Sequence, residues 1–447
     1  MMKISLNKRY VLVLPAYLLI LLQFVFNVTE AQEGVVDRRA DKRPNIILIM
    51  ADDMGMECLG TYGSTYHTPN LDHMAETGVK FNYAFAQAMC TPSRVQIMTG
   101  KYNYKNYTKF AHMDPHEKTF GHLAKEAGYK TAIMGKWQLG GGLDLPYHFG
   151  FEEYCLWQLN RAGSRYAKPL IQQNGKTLTT TNDDYGPDIF ADYLLDFIER
   201  NKEEPFFAYY PMALVHGPFV PTPDSKEWAQ DTALRHNPDF ALFGDMVSYC
   251  DKIIGRIIGK LNELGLAENT IVLFTADNGT ATAITTTMKD GSTVRGGKTQ
   301  TIDTGIRVPL IVWGKYRYTG YETDNLVDFT DFMPTIADAI GATVPEAWDT
   351  DGVSFLPTVK GETPDNPRAW IFSHYDPKHS PGADKRAARF FRTHRYKLYH
   401  DGRFYDVAQD SAEKKPIAPG TGTDEAEQVR NMLQQQLDRL PPWQPMH

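Results

Sequence analysis

Uninterrupted runs of apolar residues alternate along the chain with longer segments in which apolar residues recur every three or four positions. The apolar runs are Ile46–Met50, Thr131–Met134, Pro205–Tyr210, Ile271–Phe274 and Pro309–Trp313. Such runs are typical of parallel strands that are covered on both faces. The segments with a helical period are Phe120–Ala127, Asp188–Arg200, Phe240–Leu264 and Thr330–Ile340. The pattern predicts an α/β fold with a large, mostly parallel sheet between helices.

The C-terminal part of the chain has a different pattern. Between Ala388 and Tyr405, aromatic and basic residues form two short strand-like pieces around His400–Gly402, which is typical of a hairpin. The segment Asp424–Leu440 has acidic residues in its first turn and is followed by two prolines, as expected for a terminal helix. We therefore predict a small C-terminal subdomain over residues 351–447, with a short antiparallel sheet and a terminal helix.

The N-terminal residues have the pattern of an export signal. Basic residues precede an apolar stretch from Val11 to Val28, and the small residue Ala31 provides a cleavage point. This pattern predicts a signal peptide over residues 1–31 and a linker over residues 32–42. An uncleaved membrane anchor is the alternative, because the stretch approaches spanning length, but polar residues within it disfavour that reading. We expect an exported protein, periplasmic or secreted, with no stable membrane span after cleavage.

The composition is that of a folded globular protein. Of the 447 residues, 42% are hydrophobic and 23% are charged, so the chain can bury a large core. A formal net charge of −7 gives no indication of nucleic-acid binding. The four cysteines are too few for a disulfide framework in a chain of this length. They are Cys58, Cys90, Cys155 and Cys250, and the sequence does not give their pairing.

Pairs of short polar side chains follow two of the predicted strands. Asp52 and Asp53 come after the first strand, and Asp277 and Asn278 come after the strand Ile271–Phe274. In parallel sheets, ligands bind just beyond the carboxyl ends of the strands. Crowded carboxylates need a cation, and ligands that are all oxygen favour calcium or magnesium over zinc. Either pair alone is equally typical of an ordinary turn.

Residues 90–94 have the sequence C-T-P-S-R and place a thiol beside an arginine. Pro92 suits the first turn of a helix and Gly100 suits its end, so Cys90 should lie at a helix N-terminus. Free backbone N–H groups and the helix dipole favour an anion there, and Arg94 adds a forked cation that matches an oxyanion. The pattern indicates a negatively charged substrate group, although a buried structural cysteine is the ordinary alternative.

The same pentapeptide, followed by Thr99–Gly100, resembles the signature of the type I, formylglycine-dependent sulfatases of the alkaline-phosphatase-like superfamily. The resemblance extends from about Arg43 to Asp410. It implies an alkaline-phosphatase-like sandwich with a catalytic domain over residues 43–350 and hydrolysis of O-sulfate esters. It also implies that a formylglycine-generating or anaerobic sulfatase-maturating enzyme oxidises Cys90 to formylglycine. The hydrated aldehyde would then attack sulfur.

The resemblance also implies a metal site. In this family, four oxygen ligands and the formylglycine hold one divalent ion, and the matching residues here are Asp52, Asp53, Cys90, Asp277 and Asn278. Calcium is the favoured ion and magnesium is possible. Asn278 also begins a glycosylation sequon, but an asparagine that binds metal could not carry a glycan.

Three further positions match residues that contact sulfate in the family. The stretch 135–140, G-K-W-Q-L-G, resembles the second signature and places Lys136 near the sulfate. Lys298 resembles the second sulfate-binding lysine, and the two glycines before it would let the backbone approach the ligand. His216 resembles the histidine that contacts the bridging oxygen and protonates the departing alcohol. With Arg94, the lysines would neutralise the sulfuryl group. Without the resemblance, His216 and Lys298 would be interpreted as ordinary loop residues.

Two positions depart from the family pattern. The family has a histidine at position 138, thought to be the base that takes a proton when sulfate is released, and Gln138 cannot accept that proton at neutral pH. Either another base or a water chain releases sulfate, or turnover is impaired. The first is favoured, because the other matched positions keep competent residues. The usual Tyr-Glu-Gly-Gly is replaced by Ile302–Gly305, so the conformation of that loop is not predicted.

Seven lysines and arginines, and one acidic residue, lie between Lys385 and Arg403. They could bind a polyanionic chain beside the cleaved sulfate, but a solvated face is the favoured interpretation. His374 and Arg386 are candidate substrate contacts. We expect a sulfated glycan as substrate, since an exported enzyme meets extracellular material. The alternatives are a phosphonate or phosphate ester hydrolase of the same superfamily, or a catalytically impaired protein that binds sulfated glycans.

Overall fold

A ten-stranded sheet lies at the centre of the fold. The computed structural model describes residues 43–159, 163–316, 320–379 and 383–443, so the predicted signal peptide and linker lie outside the described residues. The described residues from Arg43 onward form one compact unit. Within the described ranges, no helix has the length and apolar character needed to cross a membrane.

The sixteen strands of the described residues are β1 (Asn45–Ala51), β2 (Val79–Phe85), β3 (Lys130–Lys136), β4 (Glu153–Trp157), β5 (Ile171–Gln173), β6 (Lys176–Thr177), β7 (Phe206–Pro211), β8 (Thr270–Ala276), β9 (Thr285–Thr287), β10 (Thr293–Arg295), β11 (Arg307–Gly314), β12 (Tyr321–Asp328), β13 (Ile371–Tyr375), β14 (Ala388–Arg392), β15 (Tyr396–Tyr399) and β16 (Phe404–Asp406). The α-helices are α1 (Pro69–Thr77), α2 (Cys90–Thr99), α3 (Asn103–Asn106), α4 (Phe120–Glu126), α5 (Leu145–His148), α6 (Gly186–Arg200), α7 (Lys226–Gln230), α8 (Phe243–Glu263), α9 (Asp303–Ile306), α10 (Phe332–Ile340), α11 (Leu356–Val359) and α12 (Asp424–Leu437).

The order of strands in the large sheet is β12-β2-β11-β8-β1-β7-β3-β4-β5-β6. The five consecutive strands from β8 to β4 are parallel, which confirms the predicted class of sheet. Every residue of β1 and β8 is buried, so both faces of the sheet are covered there.

Strand β11 contains the predicted run Pro309–Trp313, but it is antiparallel to both of its neighbours, β2 and β8. The expectation of a parallel strand is therefore wrong at this place. All but the first residue of β11 are buried. Burial on both faces produces an uninterrupted apolar run whatever the direction of the strand, so the run indicates burial and leaves the direction open.

The C-terminal subdomain contains a four-stranded antiparallel sheet in the order β13-β14-β15-β16. The predicted hairpin at 400–402 joins β15 to β16. The terminal helix α12 ends at Leu437 and packs Leu433 against Phe391 and Leu398 of the sheet. The predicted small antiparallel sheet and terminal helix are thus confirmed, although β13 was not predicted.

Helix α2 begins at Cys90 and ends at Thr99, close to the prediction. All ten of its residues are buried. Gly100 ends the helix with a φ of 67°, and a Cβ atom there would lie 2.6 Å from Cβ of Met333. A left-handed C-terminal residue of this kind is ordinarily glycine. Because the helix is buried along its whole length, Cys90 is held in place at its N-terminus.

Candidate active site

The ends of β1 and β8 bring the four predicted metal ligands together. The two strands are parallel neighbours and Ala51 pairs with Ala276, so the residues that follow them lie side by side. The backbone N–H of Asp53 donates to Oδ1 of Asp277 at 3.1 Å, and Nδ2 of Asn278 donates to Oδ1 of Asp53 at 2.9 Å. These side chains and that of Asp52 are buried.

Lys136 and Arg94 are the buried cations on one side of this cluster. Nζ of Lys136, the last residue of β3, donates to both carboxylate oxygens of Asp52 at 2.8 and 2.7 Å. Nη2 of Arg94 donates to Oδ2 of Asp277 at 2.8 Å, and its Nη1 donates to the backbone carbonyl of Lys136 at 2.9 Å. The guanidinium therefore ties α2, which carries Cys90, to the ends of β3 and β8.

Lys298 and His216 lie on the side of Asp53. Nζ of Lys298 is 2.6 Å from Oδ2 of Asp53, and Nε2 of His216 is 3.7 Å from the same oxygen. Nδ1 of His216 is 2.6 Å from the carbonyl oxygen of Gly217. A carbonyl can only accept, so Nδ1 carries the proton, and in the neutral ring Nε2 has the lone pair.

Arg165 is a residue of the site that sequence reasoning missed. Its Nη1 donates to Oδ2 of Asp52 at 3.0 Å, and its guanidinium stacks over the ring of Trp157 at 4.0 Å from the centroid. The hydroxyl of the next residue, Tyr166, donates to the backbone carbonyls of Ala213 and His216. Arg165 belongs to no motif or apolar run. Arg165 stacks on Trp157, which pairs with Lys136 across β3 and β4. The position of Arg165 can therefore be inferred only once the pairing of these strands is known.

The electrostatics of the cluster favour an anionic ligand. Burial and then the neighbouring Asp52 raise the pKa of Asp277 to about 7. Burial raises the pKa of Asp52, but Lys136 and His216 outweigh burial and hold this pKa well below the usual range. Burial lowers the pKa of His216 to about 4, although Asp53 opposes the shift, so the ring is neutral at neutral pH. Four cationic side chains thus face three carboxyl groups, and the net charge is positive.

Two buried oxygen atoms at the site have no hydrogen-bond partner among the described residues, Oδ1 of Asn278 and Oε1 of Gln138. A buried polar atom without a partner is costly unless a cation or water satisfies it. Ligand atoms of Asp52, Asp53 and His216 also lie within 4.8 Å of one another. The donor set, rich in carboxylate and amide oxygen, therefore fits a hard divalent cation.

Cys90 is buried beside this cluster, with 2% of its surface exposed. Burial lowers the pKa of Lys298, but the charges of Asp53 and then Cys90 outweigh burial and raise it. The thiol is therefore within electrostatic reach of that lysine. Asp53 and Gln138 have left-handed backbones, with φ of 62° and 54°. Such conformations are uncommon outside glycine and concentrate at functional sites.

The two candidate substrate contacts have different surroundings. His374, on β13, is buried; it accepts a hydrogen bond from Nε of Arg389 at 2.7 Å and packs edge-on against Trp443. Arg386 is exposed, and its Nη1 donates to Oγ1 of Thr299 at 2.7 Å. Arg386 therefore lies at the segment that carries Lys298, whereas His374 is enclosed by Arg389, Trp443 and Tyr104.

The basic cluster 385–403 is solvated only in part, because Lys385, Arg386 and Arg403 are exposed. Arg389, Arg392 and Lys397 are buried. Arg392 bonds Asp303, and Lys397 bonds Glu413. The strands of the C-terminal sheet turn these side chains toward the protein, and their charges are satisfied there.

Comparison with known proteins identifies the family. A sulfatase family model matches residues 44–342, and a model of the C-terminal part of N-sulphoglucosamine sulphohydrolase matches residues 297–441. The human N-acetylgalactosamine-6-sulfatase is 32% identical over 374 residues, which cover 73% of this chain and 68% of that protein. The human steryl-sulfatase is 26% identical, with 86% of each chain covered.

Solved structures agree. Ps i-CgsB in complex with k-i-k-neocarrahexaose is 25% identical with a TM-score of 0.71, and 91% of this chain and 95% of that chain are covered. A phosphonate monoester hydrolase of Agrobacterium radiobacter, 19% identical with a TM-score of 0.65 over 89% and 95% of the two chains, shows the fold alone. The chain belongs to the sulfatase family of the alkaline-phosphatase-like superfamily, and it is a sulfuric ester hydrolase.

Proposed function

We propose that this protein removes O-sulfate groups from a sulfated glycan, with Cys90 converted to formylglycine and one divalent cation, preferably calcium, bound beside it. The observation that carries the proposal is the placement of Cys90 at the N-terminus of the buried helix α2. Arg94 of the same helix donates a hydrogen bond to Asp277 of the acidic cluster. Asp52, Asp53, Asp277 and Asn278, together with the modified Cys90, would hold the cation. The unpartnered Oδ1 of Asn278 supports this assignment.

Two further parts of the proposal concern maturation and location. A formylglycine-generating or anaerobic sulfatase-maturating enzyme would oxidise Cys90 before the chain folds, since α2 is buried in the folded protein. The N-terminal pattern of residues 1–31 supports export to the periplasm or the medium.

The cations of the site have the role of binding the sulfuryl group. When bound, the divalent cation would supply positive charge next to a sulfuryl oxygen. Lys136, Lys298 and Arg94 are fixed by bonds to the carboxylates, so their charges are in place before the reaction begins. Preorganised donors of this kind stabilise charge in the transition state without reorganising.

His216 is the group proposed to move the proton. Its Nδ1 donates to the carbonyl of Gly217, so Nε2 enters the reaction as an acceptor. It can take the proton of the attacking hydroxyl and give it to the oxygen of the departing alcohol. The later release of sulfate needs a second proton acceptor, and in this chain Gln138 occupies the position that provides it in the family.

The choice of a glycan substrate is supported by relatives. Their names and titles include N-acetylgalactosamine-6-sulfatase, a complex with k-i-k-neocarrahexaose and a complex of BT4656 with its substrate D-glucosamine-2-N,6-O-disulfate. The exposed Arg386 beside the Lys298 segment offers a cation for an anionic group next to the cleaved sulfate.

The reaction itself is tested with matched 4-methylumbelliferyl sulfate and phosphate after co-expression with a maturating enzyme. We expect kcat/KM to be higher for the sulfate, because the matched family and the named relatives are sulfatases and Cys90 provides the nucleophile. Cys90→Ala should abolish turnover of both esters. A higher kcat/KM for the phosphate would favour the phosphate ester hydrolase instead, and full activity of Cys90→Ala would contradict the proposed nucleophile.

Removal of the metal should abolish hydrolysis and destabilise the protein. Calcium added to chelated protein should restore both, and more strongly than magnesium. At free calcium roughly a hundred times the Kd, the gain in unfolding free energy should be about 2.7 kcal/mol. Thermal unfolding and aryl sulfatase assays measure the two effects. Asp53→Asn should lose the response and the exposed Asp401→Asn should keep it; an unchanged response in Asp53→Asn would refute the assigned ligand.

Gln138→His should leave activity intact or raise it. The left-handed backbone at this position tolerates histidine, and the imidazole adds a proton acceptor where Oε1 now has no partner among the described residues. The turnover number on an aryl sulfate measures the effect, with Gln138→Leu as a variant of similar size that cannot accept a proton. Complete loss of activity in a folded Gln138→His protein would show that glutamine is itself required.

Arg386→Gln should raise KM for a sulfated polysaccharide far more than KM for a small aryl sulfate. The reason is that Arg386 is exposed and donates to the hydroxyl of Thr299, so that no acidic partner among the described residues neutralises its charge. Arg403→Gln is the matched control, because Arg403 lies in the same subdomain and is paired with Asp401. Equal changes of KM on both substrates would leave Arg386 with a structural role only.

A further inference from the structure

The segment 298–305 begins with Lys298, and backbone hydrogen bonds hold its first two residues in place. The N–H of Lys298 donates to the carbonyl of Thr280 at 3.0 Å, and that of Thr299 donates to Ala88 at 2.7 Å. Thr299 has a left-handed backbone with a φ of 71°, which is rare for a β-branched residue. Lys298 thus depends on a strained stretch of chain for its place beside Asp53.

At position 297, just before this segment, there is no room for a side chain. A Cβ atom there would lie 2.4 Å from Oγ1 of Thr304 and 2.6 Å from the backbone nitrogen of Gly305. The segment therefore approaches itself closely at Gly297. The loop that bears Lys298 folds tightly and has little room to adjust.

Basic side chains of the C-terminal part of the chain bind three residues of the same segment. Three side chains of the cluster 385–403 donate to it, and each reaches a different residue. The pairs are Arg386 with Oγ1 of Thr299, Lys397 with the carbonyl of Thr301, and Arg392 with Oδ1 of Asp303. The segment consists of turns that lead into α9, and the three contacts are spread along it from Thr299 to Asp303.

Lys397 is at the centre of this contact and is part of a buried network with Tyr399 and Glu413. Lys397 is 0% exposed, and its Nζ donates to Oε1 of Glu413 at 2.7 Å. The hydroxyl of Tyr399 donates to Oε2 of Glu413 at 2.6 Å and lies 2.8 Å from Oγ1 of Thr301. Both oxygens of Glu413 are thereby used to orient groups that touch Thr301.

The energetics of such a network argue against a purely stabilising role. Removing two charges from water costs about as much as their attraction returns, and apolar replacements of buried ion pairs are often neutral or stabilising. Glu413 also has a left-handed backbone, with a φ of 53°, which adds a conformational cost. The network is costly to build, and what it provides is a fixed position for the Thr301 backbone.

We infer that Lys397, Tyr399 and Glu413 are positioning residues for Lys298, through which the C-terminal subdomain sets the geometry of the sulfate site. The inference rests on the proposed role of Lys298 in binding the sulfuryl group. Nζ of Lys298 is 2.6 Å from Asp53, and a shift of the segment by a fraction of that distance would move its charge away from the reacting group.

This role differs from that of a substrate-binding surface in a way that kinetics can measure. A residue that positions Lys298 acts on the sulfuryl group, which every substrate contains. A residue that binds the remainder of a glycan acts on large substrates only. The size of the substrate therefore separates the two roles.

The experiment uses the full chain with the double variant Lys397→Met/Glu413→Gln, which removes both buried charges together. We expect kcat/KM to fall roughly 10²-fold on an aryl sulfate, since a displacement near 1 Å costs about that much, and to fall equally on a sulfated polysaccharide. Tyr399→Phe is a milder variant that should fold and should lose activity in the same proportion on both substrates. Arg395→Gln is the control, because Arg395 bonds Asp406 and Glu425 instead of the segment.

A cycle with Lys298→Ala completes the test. If the network acts through Lys298, Tyr399→Phe and the double variant should cause no further loss in the Lys298→Ala background. Equal losses in both backgrounds, a loss confined to the polysaccharide, or full activity of Tyr399→Phe would overturn the inference. The cycle is run on whichever ester the wild-type enzyme hydrolyses faster, so a preference for phosphate refutes the proposed function and leaves this inference to be decided separately.

Discussion

The burial of three carboxyl groups against one another is the constraint on which this structure depends. Asp52, Asp53 and Asp277 lie at the ends of two neighbouring strands with almost no contact with water. Like charges in such a place repel strongly, because the surroundings screen them poorly. The chain supplies four cations, Lys136, Arg94, Arg165 and Lys298, which outnumber the carboxyl groups, and the proposed divalent cation would add further positive charge. The resulting excess of positive charge is what suits the site to a sulfuryl group.

The rest of the fold holds these charges in place. The parallel strands bring the acidic residues together, and the buried helix α2 holds Cys90 and Arg94 next to them. The C-terminal subdomain contacts the segment that carries Lys298. Of the seven basic residues between Lys385 and Arg403, Arg389, Arg392 and Lys397 are buried in contacts within the protein. Arg386 is among those that are exposed, and it lies beside the same segment.

Much of the site could be predicted from the sequence, because the residues that determine it lie close to one another or to an apolar run in the chain. Cys90, Pro92 and Gly100 determine a helix within eleven positions of chain, and the aspartates directly follow apolar runs. Arg165 and the Lys397 network could not be predicted, since their partners are 113 and 96 positions away and nothing local marks them. The direction of β11 was missed for a related reason: burial shapes its sequence, whereas its pairing depends on the whole sheet.

Catalysis is proposed to depend on the conversion of Cys90 to formylglycine. Mass spectrometry of the tryptic peptide that contains residue 90, after co-expression with a maturating enzyme, detects this conversion. We expect the mass of a peptide in which an aldehyde, or its hydrate, replaces the thiol. An unmodified thiol in protein that hydrolyses sulfate esters at full rate would contradict it.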